Sequence, residues 1–306
     1  MARLNKWGAG LAAMVVAGAA AGWVMTAPHP LPELSTSEHS ADLENGRNTF
    51  LISGCASCHA EKGAKAEAKL VLEGGQRFET EFGTFIAPNI STDPVAGIGN
   101  WNETDFVNAV LRGISPDGDH YYPAFPYGSY ARMEMRDVRD LWAYMQTLPA
   151  SSRANEPQEI GFPFSIRRGI GVWKMLYLGT EWRTQLTEDA TEDLKRGRYL
   201  VEGPGHCGEC HTPRDAVGGL DPARWLAGAP NPDGDGQIPN ITPAGKSVAD
   251  WAEIDIVEYL TSGFTPDYDT AGGSMVSVID NTAQLPESDR KAIAAYLKAI
   301  PAVSSD

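Results

Sequence analysis

Apolar positions along the chain form one long unbroken run, followed by short helical stripes that occur twice. The run, Trp7 to Thr26, holds twenty uncharged residues, follows Arg3 and Lys6, and is closed by Pro28. At 1.5 Å per residue it reaches roughly the 30 Å hydrocarbon thickness of a bilayer. Basic residues on its short N-terminal side place that end in the cytoplasm and the rest of the chain in the periplasm. Residues 1–26 are thus read as a membrane anchor or signal segment, and 27–40 as a polar, Pro-rich tether. A cleaved signal competes, because Ala19 and Ala21 form a small-x-small site, but the run exceeds the usual signal core of roughly 7 to 15 residues.

Downstream, the stripes predict helices joined by loops. Val138, Leu141, Trp142, Met145 and Leu148 keep one face of a helix that Pro149 ends, and Ile293, Tyr296, Leu297 and Ile300 repeat the phase before Pro301. Asn102 with Asp105 three residues on predicts a capped start for the Phe106-Val107-Val110-Leu111 stripe, and Gly113 its end. Ile256, Val257, Tyr259 and Leu260 run likewise to Gly263. Gly46-Arg47 returns as Gly197-Arg198, Pro88-Asn89-Ile90 as Pro239-Asn240-Ile241, Trp101 as Trp251 and Tyr144 as Tyr296, all at offsets of 150 to 152. A period that long means two tandem copies of one domain, not a solenoid. The expected organisation is domain 1 at 41–150, a connector at 151–190 and domain 2 at 191–306. Alternating strand patterns are lacking apart from a short extended piece over 81–86, so the expected fold class is all-α.

Composition narrows the function. The 306 residues suit about two domains. Forty acidic against 25 basic residues, net −15, exclude a nucleic-acid binder, which needs positive charge to displace phosphate counterions. The acidity is uneven: 15 acidic and 9 basic residues over 41–150, 18 and 9 over 191–306, but 5 and 5 over 151–190. With Phe162-Pro163-Phe164 and Trp173-Lys174-Met175-Leu176-Tyr177, that connector is too apolar for a free linker and is expected to pack across both domains, a partner-facing surface being the other reading.

All four cysteines fall in two motifs, Cys55-Ala56-Ser57-Cys58-His59 and Cys207-Gly208-Glu209-Cys210-His211. Two thiols one helical turn apart can bond the two vinyl groups of one haem, and the adjacent His then lies beneath the iron. The expected cofactors are two covalently bound haem c, with His59 and His211 as axial ligands. A zinc ribbon would bring its cysteine pairs within roughly 15 to 20 residues, whereas 148 lie between these. For the sixth ligand, Met275, on the Gly272-Gly273-Ser274 loop, is the only Met after residue 175 and serves the second haem; Met133 is preferred for the first, with Met135, His120 or a vacant site as alternatives. His29, His39 and His206 are expected to be solvated, His206 flanking a haem edge. Pro88-Asn89-Ile90 and Pro239-Asn240-Ile241 offer carbonyls to the other imidazole N–H.

The order of helix, Cys-x-x-Cys-His, Pro-Asn-Ile, helix, Met and final helix resembles class I cytochrome c domains, in which the proline carbonyl accepts the histidine proton. More narrowly, Phe85-Ile86-Ala87-Pro88-Asn89-Ile90, Gly97-Ile98-Gly99-Asn100-Trp101, Tyr122-Pro123-Ala124-Phe125-Pro126-Tyr127 and Gly203 to Arg214 are similar to the cytochrome c subunits of bacterial membrane-bound alcohol and sugar-acid dehydrogenases. Those subunits usually carry three haems, and this chain has motifs for two. The resemblance implies an electron-transfer protein and not an enzyme, held at the bacterial inner membrane, passing electrons from a periplasmic dehydrogenase to a respiratory acceptor. Alternatives are a dihaem enzyme, such as a peroxidase or sulfur-compound dehydrogenase with one open haem, and an anchored shuttle between respiratory complexes. The acidic faces predict docking to a basic partner patch.

Overall fold

The structure, a computed structural model, describes residues 2–34, 39–231, 234 and 236–305. The apolar run forms α1 (Ala2–Met25), and the side chains of Trp7 to Met25 are all exposed. The first half continues with α2 (Leu43–Ile52), α3 (Cys55–His59), a hairpin of β1 (Arg77–Thr80) and β2 (Gly83–Ile86), then α4 (Glu103–Arg112), α5 (Tyr127–Tyr130) and α6 (Met135–Met145). The connector supplies β3 (Glu159–Ile160) and α7 (Gly169–Tyr177). The second half holds α8 (Glu192–Glu202), α9 (Gly208–His211), β4 (Ala229–Pro230), β5 (Gln237–Ile238), α10 (Lys246–Asp250), α11 (Glu253–Ser262), α12 (Met275–Thr282) and α13 (Glu287–Ala299).

The chain is therefore mostly helical, and the all-α expectation is corrected by two small antiparallel sheets. The extended piece expected over 81–86 is one arm of a hairpin, with Arg77 opposite Ile86, and β3 adds to its free edge opposite Gly83 and Thr84. Strands of two to four residues with an exposed first arm bury no alternating face, so they leave no period-2 signature in the sequence.

Each half is centred on one crossing of its first and last helices. Gly46 of α2 lies against α6 so closely that a Cβ would stand 2.1 Å from the Asp140 carbonyl oxygen. Gly197 of α8 meets α13 in the same way, 2.0 Å from the Ala292 carbonyl oxygen. Only a residue lacking Cβ lets the two backbones touch there. Around the first crossing, Phe50, Phe106, Val107, Val110, Val138, Leu141 and Met145 form one buried cluster. Leu200, Val201, Ile256, Val257, Leu260, Ile293, Tyr296 and Leu297 form the other.

Local signals hold at the helix ends. Asn102 and Asp105 form a reciprocal capping box on α4, and Gly113 closes it in the left-handed region. Asp255 accepts from the Ala252 N–H at the start of α11, and Gly263 closes that helix with φ 78°.

The connector packs on both halves. Trp173 meets the Tyr127 ring edge-on at 6.1 Å, and Lys174 Nζ donates to the Arg112 and Gly113 carbonyls at the C-terminus of α4. Burial there, with Arg112 nearby, lowers the lysine pKa to about 7. On the other side the Tyr177 hydroxyl donates to Asp215 at 2.6 Å. Phe162, Ile166, Met175 and Leu176 of the same segment remain exposed. The tether is not free: the Leu31 and Leu34 N–H groups donate to Asn108 Oδ1 and Thr104 Oγ1 of α4. Residues 35–38 of the expected tether lie outside the described residues.

Candidate functional site: two histidine–proline cradles

Both Cys-x-x-Cys-His motifs fold as a single helical turn, α3 and α9, directly after the first helix of their half. One turn brings the two thiols of each motif to the same side of the helix, and none of the four cysteines is in a disulfide. Cys58 and Cys210 are exposed, Cys55 and Cys207 half-buried. Burial, reinforced by the neighbouring thiol, raises the pKa of the free Cys55 and Cys207 thiols to about 12.

The histidines are held alike. His59 Nδ1–H donates to the Pro88 carbonyl at 2.8 Å, and His211 Nδ1–H donates to the Pro239 carbonyl at 2.7 Å. A carbonyl only accepts, so the proton is on Nδ1 and Nε2 carries the free lone pair in both rings. Burial lowers both imidazole pKa values against the opposing effect of the proline carbonyl, which keeps the rings neutral. A neutral imidazole with a fixed tautomer and a bare Nε2 is a metal ligand whose orientation is preset.

A second pair of residues builds each cradle. Gly74 N–H donates to the His59 carbonyl at 2.8 Å and Leu72 accepts from Ile90 N–H; Gly228 N–H donates to the His211 carbonyl at 2.8 Å and Leu226 accepts from Ile241 N–H. Both glycines have positive φ, 74° and 88°. A Cβ on Gly74 would come within 2.5 Å of the Ala87 carbonyl oxygen, against the proline loop. These residues were missed in the sequence. The signal that could have found them is Leu-x-Gly, which occurs 13 residues after His59 and 15 after His211.

Met133 is 6% exposed and belongs to the same apolar cluster that Cys55 borders. Met135 starts α6 and is half-buried on that cluster, while Met145 is a core residue. Met275 packs with Cys207 on the second cluster, but it opens α12 and does not sit in a loop as expected; Gly272 to Ser274 lead into that helix. His120 is occupied elsewhere: its Nε2–H donates to the Thr26 carbonyl at the end of α1, and the ring is 4% exposed. Of the three histidines expected in solvent, His29 is exposed. His39 instead donates to buried Asp140 at 2.7 Å, and His206 is half-buried between the halves, its ring against Tyr130.

The donor set fits covalently attached haem: paired thiols one turn apart, then an imidazole whose free nitrogen is set by a backbone carbonyl. Two such sites on a mostly helical scaffold define a c-type cytochrome. The family description "Cytochrome c" matches residues 43–149. A diheme cytochrome c-type protein of Cereibacter sphaeroides is 54% identical over 295 residues, covering 96% of this chain and 98% of that protein. The fructose dehydrogenase cytochrome subunit of Gluconobacter japonicus is 35% identical over 276 residues, 89% of this chain and 55% of the subunit. The cytochrome c subunit of the quinone alcohol dehydrogenase of Gluconobacter oxydans is 33% identical over 302 residues, 92% of this chain and 61% of the subunit. The chain belongs to the cytochrome c family, as an electron-transfer protein homologous to cytochrome subunits of dehydrogenase complexes. It spans little more than half the length of these two dehydrogenase subunits.

Proposed function

We propose that the chain is a membrane-anchored, periplasmic dihaem cytochrome c that takes electrons from a dehydrogenase and passes them to a respiratory acceptor. Each half, 41–150 and 191–306, is one class I cytochrome c domain holding one haem. When bound, each haem supplies a one-electron Fe(III)/Fe(II) couple. Cys55 and Cys58 would tether the first, and His59 and Met133 would hold its iron; Cys207 and Cys210 would tether the second, and His211 and Met275 would hold its iron. The observation that carries this reading is the pair of histidine-to-proline hydrogen bonds at 2.8 and 2.7 Å, placed alike in two motifs 152 residues apart. A thioether opposite each histidine would keep both irons closed to external ligands, which suits electron transfer and disfavours the dihaem-enzyme reading.

The far end of α1 is seated on the first half and the connector. Among the described residues the Thr26 carbonyl takes the only hydrogen bond of the His120 ring, and Arg168 stacks over Trp23 with its guanidinium 4.3 Å from the ring centre. Cleavage after Ala21, at the small-x-small site, would leave both Trp23 and Thr26 in the chain, so the retained anchor rests instead on the length of the apolar run. The relatives named as dehydrogenase cytochrome subunits make a dehydrogenase the donor we favour over a free shuttle between complexes.

The test is the holoprotein's haem content and near-infrared spectrum. Two haems per chain and a methionine-to-iron charge-transfer band for each are expected, and Met133→Ala and Met275→Ala should each convert one haem to a carbon-monoxide-binding form. Carbon monoxide uptake by the reduced native protein, or fewer than two haems, would overturn it. Alkaline carbonate washing of membranes should leave the chain in the pellet with its apolar helix intact.

A further inference from the structure

The two haem-attachment turns touch, and the contact is made by a residue in an unfavourable conformation. In the first half the residue before Cys55 is Gly54, at φ 62°; in the second, the residue before Cys207 is His206, at φ 38°. The positions are equivalent. Gly54 O accepts from Ser57 N–H at 2.9 Å, and His206 O accepts from Glu209 N–H at 2.9 Å. A left-handed residue is thus needed at the entry to each turn. Glycine meets that need freely, whereas histidine adopts the conformation against steric resistance from its Cβ.

The imidazole crosses to the other half. His206 Nε2–H donates to the Ser53 carbonyl at 3.3 Å, and a Cβ on Gly54 would lie 3.8 Å from that same Nε2. Tyr130 fixes the geometry: its hydroxyl donates to the same Ser53 carbonyl at 2.7 Å, and its ring meets the imidazole edge-on at 5.6 Å. Nearby, Asn281 Nδ2 donates to Ser57 Oγ, inside the first motif, at 3.1 Å, and Gly205 packs toward Ile52. The chain runs Ser53-Gly54-Cys55 on one side of the bond and His206-Cys207 on the other. One hydrogen bond therefore joins the side chain of the residue before Cys207 to the backbone carbonyl two residues before Cys55.

We propose that His206 is a positioning residue that locks the two attachment turns at a fixed separation and links them by hydrogen bond, setting the rate of electron exchange between the two haems. The inference rests on the two-haem reading above. In the exchange, one iron passes from Fe(II) to Fe(III) as the other passes from Fe(III) to Fe(II); no bond breaks and no proton moves. Strain at such a residue persists only where its surroundings hold it in place, and here the holding partners belong to the opposite half.

Two variants of the holoprotein test this. His206→Gly keeps the left-handed backbone at no steric cost but removes the bridge, and His206→Gln restores a donor of similar reach. Expected for His206→Gly are two haems with both methionine-to-iron bands unchanged, a collapsed split Soret circular-dichroism signal, and slower exchange after rapid partial reduction. His206→Gln should recover most of both signals. An unchanged Soret signal and rate in His206→Gly, or His206→Gln as impaired as His206→Gly, would overturn the proposal. Fewer than two haems in the unmodified protein would overturn the two-haem reading itself, and this proposal with it.

Discussion

Asp140 has no exposed surface, yet its carboxylate accepts from the Asp42 N–H, from Asn45 Nδ2 and from His39 Nε2–H, at 2.7 to 2.9 Å. Burial opposes its ionisation, but these donors outweigh it and hold the carboxyl below the usual carboxylate range. A folded pKa below the unfolded value of about 3.9 makes the unfolded chain the better proton binder in acid. The stabilisation is complete above that value and is lost as pH falls through the depressed folded one. Asp140→Ala should cost about 1–3 kcal/mol at neutral pH, the scale of leaving buried donors without their acceptor, and should flatten the acid limb of stability below about pH 4. Denaturant unfolding of the holoprotein between about pH 3 and 7 reads both effects. Asp140 also explains why His39 was misjudged in the sequence. Nothing local marks His39 as other than a tether residue, because its partner lies 101 positions away. The two Cys-x-x-Cys-His motifs were legible because each is confined to five consecutive residues.

Among the elements, the paired crossings of α2 with α6 and of α8 with α13 carry the repeat. Gly197→Ala would push a methyl group into the Ala292 carbonyl and toward Tyr296 Cβ, 2.6 Å away. The last helix would shift, and with it the Tyr296 hydroxyl that donates at 2.5 Å to fully buried Glu202. A loss of about 1–3 kcal/mol is expected for such overpacking, visible as a lowered thermal midpoint with the haem count unchanged. Gly46 and Gly197 were visible in the sequence as a repeated Gly-Arg pair, but their role was not, because a close helix approach has no one-dimensional signature. Helix phases, the Asn102 cap and the Gly113 and Gly263 stops were legible, since each depends on neighbours within about one turn. The hairpin, its third strand from the connector and the helix that begins at Met275 were not, being decided by pairing and packing over longer separations.

Over the whole molecule, acidic surface and apolar segments are segregated. The two halves carry the excess negative charge, while the connector is balanced and keeps Phe162, Ile166, Met175 and Leu176 exposed on the side chain run that also holds Arg168 against α1. Electron transfer with a basic redox partner should therefore slow as salt rises, because screening over about 10 Å at 0.1 M removes long-range steering. Stopped-flow rates measured across an ionic-strength series check this, and a rate independent of salt would contradict it. What the sequence alone determined was the two Cys-x-x-Cys-His motifs, the helix pattern and the apolar run, because each is written in the spacing of residues close along the chain. Only the tertiary structure decided that the two attachment turns meet through His206, that the connector braces both halves, and that the end of α1 buries His120. Those contacts join residues from 38 to 153 positions apart, where packing, not local spacing, chooses the partner.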